Sequence, residues 1–106
     1  MICNEGVCSV VTTPIIIDDA LRLVLARLEG VLGVYFIPSE IERVFSDATL
    51  NQRDEKEYTF FDSPRVRVTG HVEEYEPETI EITILAPRSH KKRCNEILKR
   101  ASGSQA

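Results

Sequence analysis

The sequence predicts an α+β fold, a two-layer sandwich in which an antiparallel meander sheet carries two to three helices on one face. Three observations predict it. Residues 65–74 and 79–86 alternate apolar and polar side chains with period two. Ile17, Leu21, Val24, Leu25 and Leu28 recur at helical spacing. The length of 106 residues matches the commonest domain size and suits one core. The chain reads as a single domain over residues 1–101, with a flexible polar tail at 102–106.

The elements follow in order. Residues 7–11 are a short β-prone run that ends in Thr12-Thr13-Pro14. A helix is predicted over 15–29. Asp18 and Asp19 suit the positive end of its dipole, and Gly30 suits a left-handed cap. Residues 31–37, β-branched and aromatic around Gly33, read as a short buried strand. Ser39-Glu40-Ile41-Glu42 has the form of a capping box, and it opens a second helix with Ile41, Val44, Phe45 and Ala48 on its apolar face. The polar stretch 51–56 reads as a loop.

The second half is β. A strand at 57–61 runs into Asp62-Ser63-Pro64, which has turn chemistry. In the next two strands Val66, Val68, Val72, Ile80, Ile82 and Ile84 form the dry side of the sheet. Partners across an antiparallel pair share a face. Val68 is therefore set opposite Ile84 and Val72 opposite Ile80, with Tyr75-Glu76-Pro77 as the hairpin loop and His71 opposite Glu81 on the wet side. The leucine-striped helix is expected to roof that dry side. After Pro87, residues 89–101 read as a last helix with Cys94, Ile97, Leu98 and Ala101 along its stripe.

Composition narrows the function classes. Hydrophobic residues at 42% and charged residues at 28% are globular values, which excludes a disordered or fibrous chain. The longest apolar runs, 14–17 and 31–38, fall far short of the ~20 residues of a membrane-spanning helix. The N-terminus has no basic segment followed by an apolar one, so a cytoplasmic chain with no membrane contact is expected. Three cysteines, an odd number, are expected to be reduced thiols.

Charge is unevenly spread. Residues 1–87 hold 7 Lys+Arg against 16 Asp+Glu and residues 88–106 hold 6 against 1, so a net −4 divides into −9 and +5. The acidic part gathers at the β-hairpin. Glu74, Tyr75, Glu76 and Glu78 suit docking to another protein, because Tyr is favoured at interface centres and charge steers encounter. The plainer reading is a solvated face that keeps the sheet from pairing with other chains. A free edge of the meander would also accept a strand from a partner or from a second copy in a homodimer. The basic part, Arg88, Lys91, Lys92, Arg93, Lys99 and Arg100, lies on the last helix and would suit phosphate or nucleic acid. No aromatic residues interleave it, so base stacking is not indicated there.

Cys3, Cys8, His90 and Cys94 form a candidate tetrahedral zinc set, His90 and Cys94 being one helical turn apart. Cys94 also fits the apolar stripe, where a buried thiol is the plainer reading. The chain has no Gly-rich phosphate loop, no G-x-S-x-G and no H-E-x-x-H, and no cofactor is expected. The leading expectation is a small non-enzymatic protein-binding or regulatory module acting through the acidic hairpin. A nucleic-acid-binding regulator and a metal- or thiol-dependent enzyme are the alternatives.

Overall fold

A computed structural model describes residues 8–49, 55–74 and 78–103. The elements are β1 (Cys8–Ile16), α1 (Asp19–Leu32), α2 (Pro38–Thr49), β2 (Lys56–Asp62), β3 (Arg67–Val72), β4 (Thr79–Pro87), a 3-10 turn (Arg88–His90) and α3 (Lys91–Gly103). The four strands form one antiparallel sheet in the order β1-β4-β3-β2. This is the predicted α+β architecture, with one more strand than the meander. The β3–β4 register is also as read from the alternation, with Val68 opposite Ile84 and His71 opposite Glu81.

One buried cluster joins the dry side of the sheet to the helices. Val66, Val68, Val72, Ile80, Ile82 and Ile84 pack in it with Leu21, Val24, Leu25 and Leu28 of α1 and with Cys94 and Leu98 of α3. Each buried Val, Leu or Ile side chain contributes about 1.5–3 kcal/mol, so this layer drives the fold. No helix among the described residues is long and apolar enough to cross a membrane.

The boundaries differ at both ends of α1. The strand β1 runs through Pro14 to Ile16, and the helix begins later, where the Asp18 carboxylate accepts the Ala20 N–H at 2.9 Å. Pro14 is tolerated because an edge strand needs no N–H on its outer side. At the other end α1 continues past Gly30. Gly33, at φ 68°, closes it by donating to the Glu29 carbonyl. The extra turn brings Leu32 into the core. Residues 33–37 are therefore a connector rather than the predicted strand. The Glu29 carboxylate holds it by accepting the Phe36 N–H at 2.6 Å, and Phe36 is buried against Phe60.

The capping box at Ser39 is replaced by a simpler start. Pro38 is the first helical residue, and the Ile37 carbonyl accepts from Glu40 and Ile41. Glu42 turns instead to Arg22 of α1, with contacts of 2.6 and 3.1 Å, and the Arg22 guanidinium lies 4.1 Å from the Phe45 ring centroid. A register shift between Thr59 and Phe61 makes Phe60 a bulge in β2. Its ring is fully buried beside Gly70, where an added Cβ would stand 2.9 Å from Phe60 and 2.6 Å from Ile80.

Cys8 departs from the expectation of reduced thiols, for it is disulfide-bonded, while Cys94 is a buried free thiol. An odd count leaves room for one bridge and one free thiol.

Candidate functional site

The helices cover one face of the sheet. On the other face lie Val10, Thr12, Pro14 and Ile16 of β1, Thr79, Glu81, Thr83 and Leu85 of β4, and Arg67, Thr69 and His71 of β3, by strand alternation. None of them is fully buried. Thr12 and Thr83 meet across the strands with hydroxyls 3.3 Å apart. A shallow groove of about 350 Å³ runs over this face, lined by Val10, Arg67, Thr69, His71, Thr83 and Leu85 among others.

The two sheet edges differ. Along β2, helix α2 lays a polar stripe against the outer backbone. Glu40 accepts the Thr59 N–H at 3.1 Å, Arg43 donates to the Glu57 carbonyl at 2.7 Å, and Asp47 accepts the Tyr58 hydroxyl at 2.8 Å. The Ile37 N–H donates to the Phe60 carbonyl, and the Arg43 guanidinium covers the Tyr58 ring at 4.4 Å. Burial, with Asp47 as acceptor, pushes the Tyr58 phenol far above its ordinary value.

Along β1 no described element pairs with the outer backbone. Ile17 donates to the Glu78 carbonyl, one step beyond the Ile16–Thr79 pair that ends the ladder. In an antiparallel ladder alternate residues point their amides inward, so the odd residues of β1 bond β4 and the even ones face outward. Val10 and Thr12 thus present N–H and C=O groups to the outside, and Pro14 presents a carbonyl alone. Val10 and Ile16 are 59% and 63% exposed.

Carboxylates concentrate at the end of the sheet where β1 stops and β4 begins. Asp18, Asp19, Glu73, Glu74, Glu78 and Glu81 are exposed there. The acidic hairpin is thus partly placed. Glu74 and Glu78 flank its tip, and Tyr75 and Glu76 lie outside the described residues. His71 stands among three glutamates, with Nε2 at 3.1 Å from Glu55 and 3.3 Å from Glu73, and Nδ1 at 3.5 Å from Glu57. The alternation gave His71 only its β4 neighbour, Glu81. The glutamates become visible only once β2 is folded back on β3 from the Asp62-Ser63-Pro64 turn with the one-residue shift at Phe60, which together set Glu57 opposite His71.

The Cys/His set is not assembled among the described residues. Cys3 lies outside them, the Cys8 sulfur is in a disulfide, and His90 is half-buried in the 3-10 turn. Cys94 faces the core, and burial pushes its thiol up, away from the thiolate that metal binding or nucleophilic attack requires. Metal-ligating atoms converge instead at Glu55, His71 and Glu73.

Of the predicted phosphate set, Arg88, Lys91, Lys92 and Lys99 line one shallow surface groove with Asn95 and Glu96. Arg93 and Arg100 are exposed on α3 outside it. No protein-family model, no curated protein and no solved structure matches the chain.

Proposed function

We propose that this chain is a non-enzymatic protein-binding module that takes an extended, basic segment of a partner as a fifth strand beside β1. The observation that carries this reading is the outward row of backbone groups at Val10 and Thr12, uncovered by any described element while the opposite edge is sealed. Strand addition draws affinity from such main-chain groups and specificity from alternate side chains. Basic character follows from the carboxylates Asp18, Asp19, Glu78 and Glu81 near the end of β1. Glu74, Tyr75 and Glu76 of the hairpin extend the same acidic region in sequence. Charge there would steer encounter and set strand direction.

Selection from a displayed library of random peptides tests the proposal. Lys- and Arg-rich, β-prone peptides should be enriched. On binding, hydrogen exchange at the Val10 and Thr12 amides should slow. Enriched peptides that protect α3 instead, or no enrichment, would refute it. Protection of the same two amides that rises with protein concentration and no peptide present would identify a second copy as the strand donor.

A second reading has its own observation, the gathering of Arg88, Lys91, Lys92 and Lys99 on one surface groove. There the partner would be a nucleic acid held by its phosphates. Its affinity would fall steeply with salt and fall again in a Lys91→Ala, Lys92→Ala double variant. No binding at low salt would dismiss it.

A further inference from the structure

We propose that His71, Glu55 and Glu73 hold a divalent metal ion, Zn²⁺ being the ion their chemistry fits, with Glu57 orienting the histidine. This goes beyond the protein-binding reading and does not depend on it. The donor set is mixed, with one imidazole nitrogen and two carboxylates whose ligand atoms all lie within 4.8 Å of one another. Imidazole suits zinc among the common divalent ions, and carboxylate oxygen completes many zinc sites.

The two separations from the imidazole fit an ion. Ligands at about 2.0–2.1 Å from a tetrahedral zinc stand roughly 3.3 Å apart. Nε2 of His71 is 3.1 Å from the Glu55 oxygen and 3.3 Å from the Glu73 oxygen. A single Nε2–H points along one direction and serves two carboxylates poorly, whereas an ion between the three atoms serves all of them. The far side of the ring agrees. Nδ1 faces the Glu57 carboxylate at 3.5 Å, which is the outer partner that fixes ring orientation in most metal-bound histidines.

Backbone register builds the arrangement. Glu57 is paired with His71 and Lys56 with Val72, and one further step sets Glu55 opposite Glu73. Like charges directly opposite each other destabilise a sheet, and these three carboxylates gather around the single imidazole of His71. A divalent cation offsets that repulsion. With three protein ligands the ion keeps a fourth position open.

The test uses the whole chain and Zn²⁺ alone, followed by calorimetry and by imidazole ¹⁵N resonances. The chain has two histidines, so His90 is an internal control. One Zn²⁺ per chain should bind and shift the His71 Nε2 resonance while the His90 signals stay in place. Glu55→Gln with Glu73→Gln should abolish that binding. Glu57→Gln should weaken it about 10–100-fold, as loss of an orienting outer partner does. All these side chains but His71 are well exposed, so the variants should fold, and unchanged circular dichroism would verify it. An unmoved His71 resonance, or Zn²⁺ affinity that survives the double change, would overturn the site. So would a shift at His90 in place of His71.

Discussion

Along β2, a helix supplies Glu40, Arg43 and Asp47 to the outer backbone and side chains of the strand, and Ile37 adds a backbone donor to the Phe60 carbonyl. Along β1, Val10 and Thr12 turn the same kinds of groups outward and no described element meets them. The defences differ in kind. An open edge invites other strands, and proteins blunt it with Pro, charge or a covering element. The β2 edge is covered. Among the described residues the β1 edge keeps Pro14, whose missing N–H removes one donor from the row. The difference is what the proposed strand addition rests on, because a covered edge has no backbone groups left for another strand. The largest predicted effect comes from breaking what both edges share, a sheet dry on one side only. Ile82 is fully buried beneath the helices. Ile82→Asp places an unpaired carboxylate there and should remove most of the roughly 5–15 kcal/mol that holds such a domain, leaving no cooperative thermal transition. A folded Ile82→Asp would mean that the dry face is wrongly assigned.

Next in size is the sealed edge. Glu40→Ala takes the acceptor from the Thr59 N–H and the carboxylate partner from Arg43. The expected cost is about 1–2 kcal/mol, a fall in melting temperature of about 4–8 °C per kcal/mol for a domain of this size. Hydrogen exchange at Thr59 should rise with it. Unchanged stability would show that α2 merely rests on β2.

Tyr58 gives the same contact a pH signature. The fold holds the phenol protonated, through burial first and the bond to Asp47 second, so its pKa is raised from the ordinary 10.0. The neutral form is the one the fold favours. Its contribution is therefore whole below pH 10 and declines as pH rises above that value, where the unfolded chain ionises and the folded one does not. Wild type should lose stability across that range, and Tyr58→Phe should remove that part of the slope. The wild-type minus Tyr58→Phe absorbance difference should show the phenolate forming only far above the usual range. Ionisation of that group at its ordinary value would contradict a buried Tyr58.

Much of this architecture was legible in the sequence where one physical signal dominated. Even-numbered valines and isoleucines gave the β3–β4 register because a one-residue slip would turn Val68 and Ile84 into water. The errors fall where two signals compete. Thr13-Pro14 suits a helix start or the end of a strand equally, and only the tertiary position of β1 on an edge makes Pro14 a strand residue. Residues 31–37 are apolar enough for a strand, yet a short run of that kind does not distinguish a strand from a buried helix end. Leu32 joined the core as the latter. The glutamates around His71 were hidden for another reason. Their meeting depends on the β2–β3 pairing, which a bulge at Phe60 shifts by one residue. The edge position of β1 was hidden with them, since it exists only because β1 closes onto β4, the strand farthest from it in sequence.

The smallest effect on stability belongs to the open edge, and there the comparison is sharpest. Val10→Lys puts a charge on an exposed side chain beside the outward backbone. No core contact is lost, so stability should stay within about 0.5 kcal/mol of wild type. Edge lysines discourage strand pairing, because a neighbouring strand would have to desolvate the ammonium group. Capture of a basic peptide should therefore weaken strongly in Val10→Lys while the melting temperature holds. In Glu40→Ala the pattern should reverse, with stability lost and capture kept at temperatures where the variant is folded. If Val10→Lys instead melts early and binds as before, the β1 edge is structural in its own right and the partner docks elsewhere.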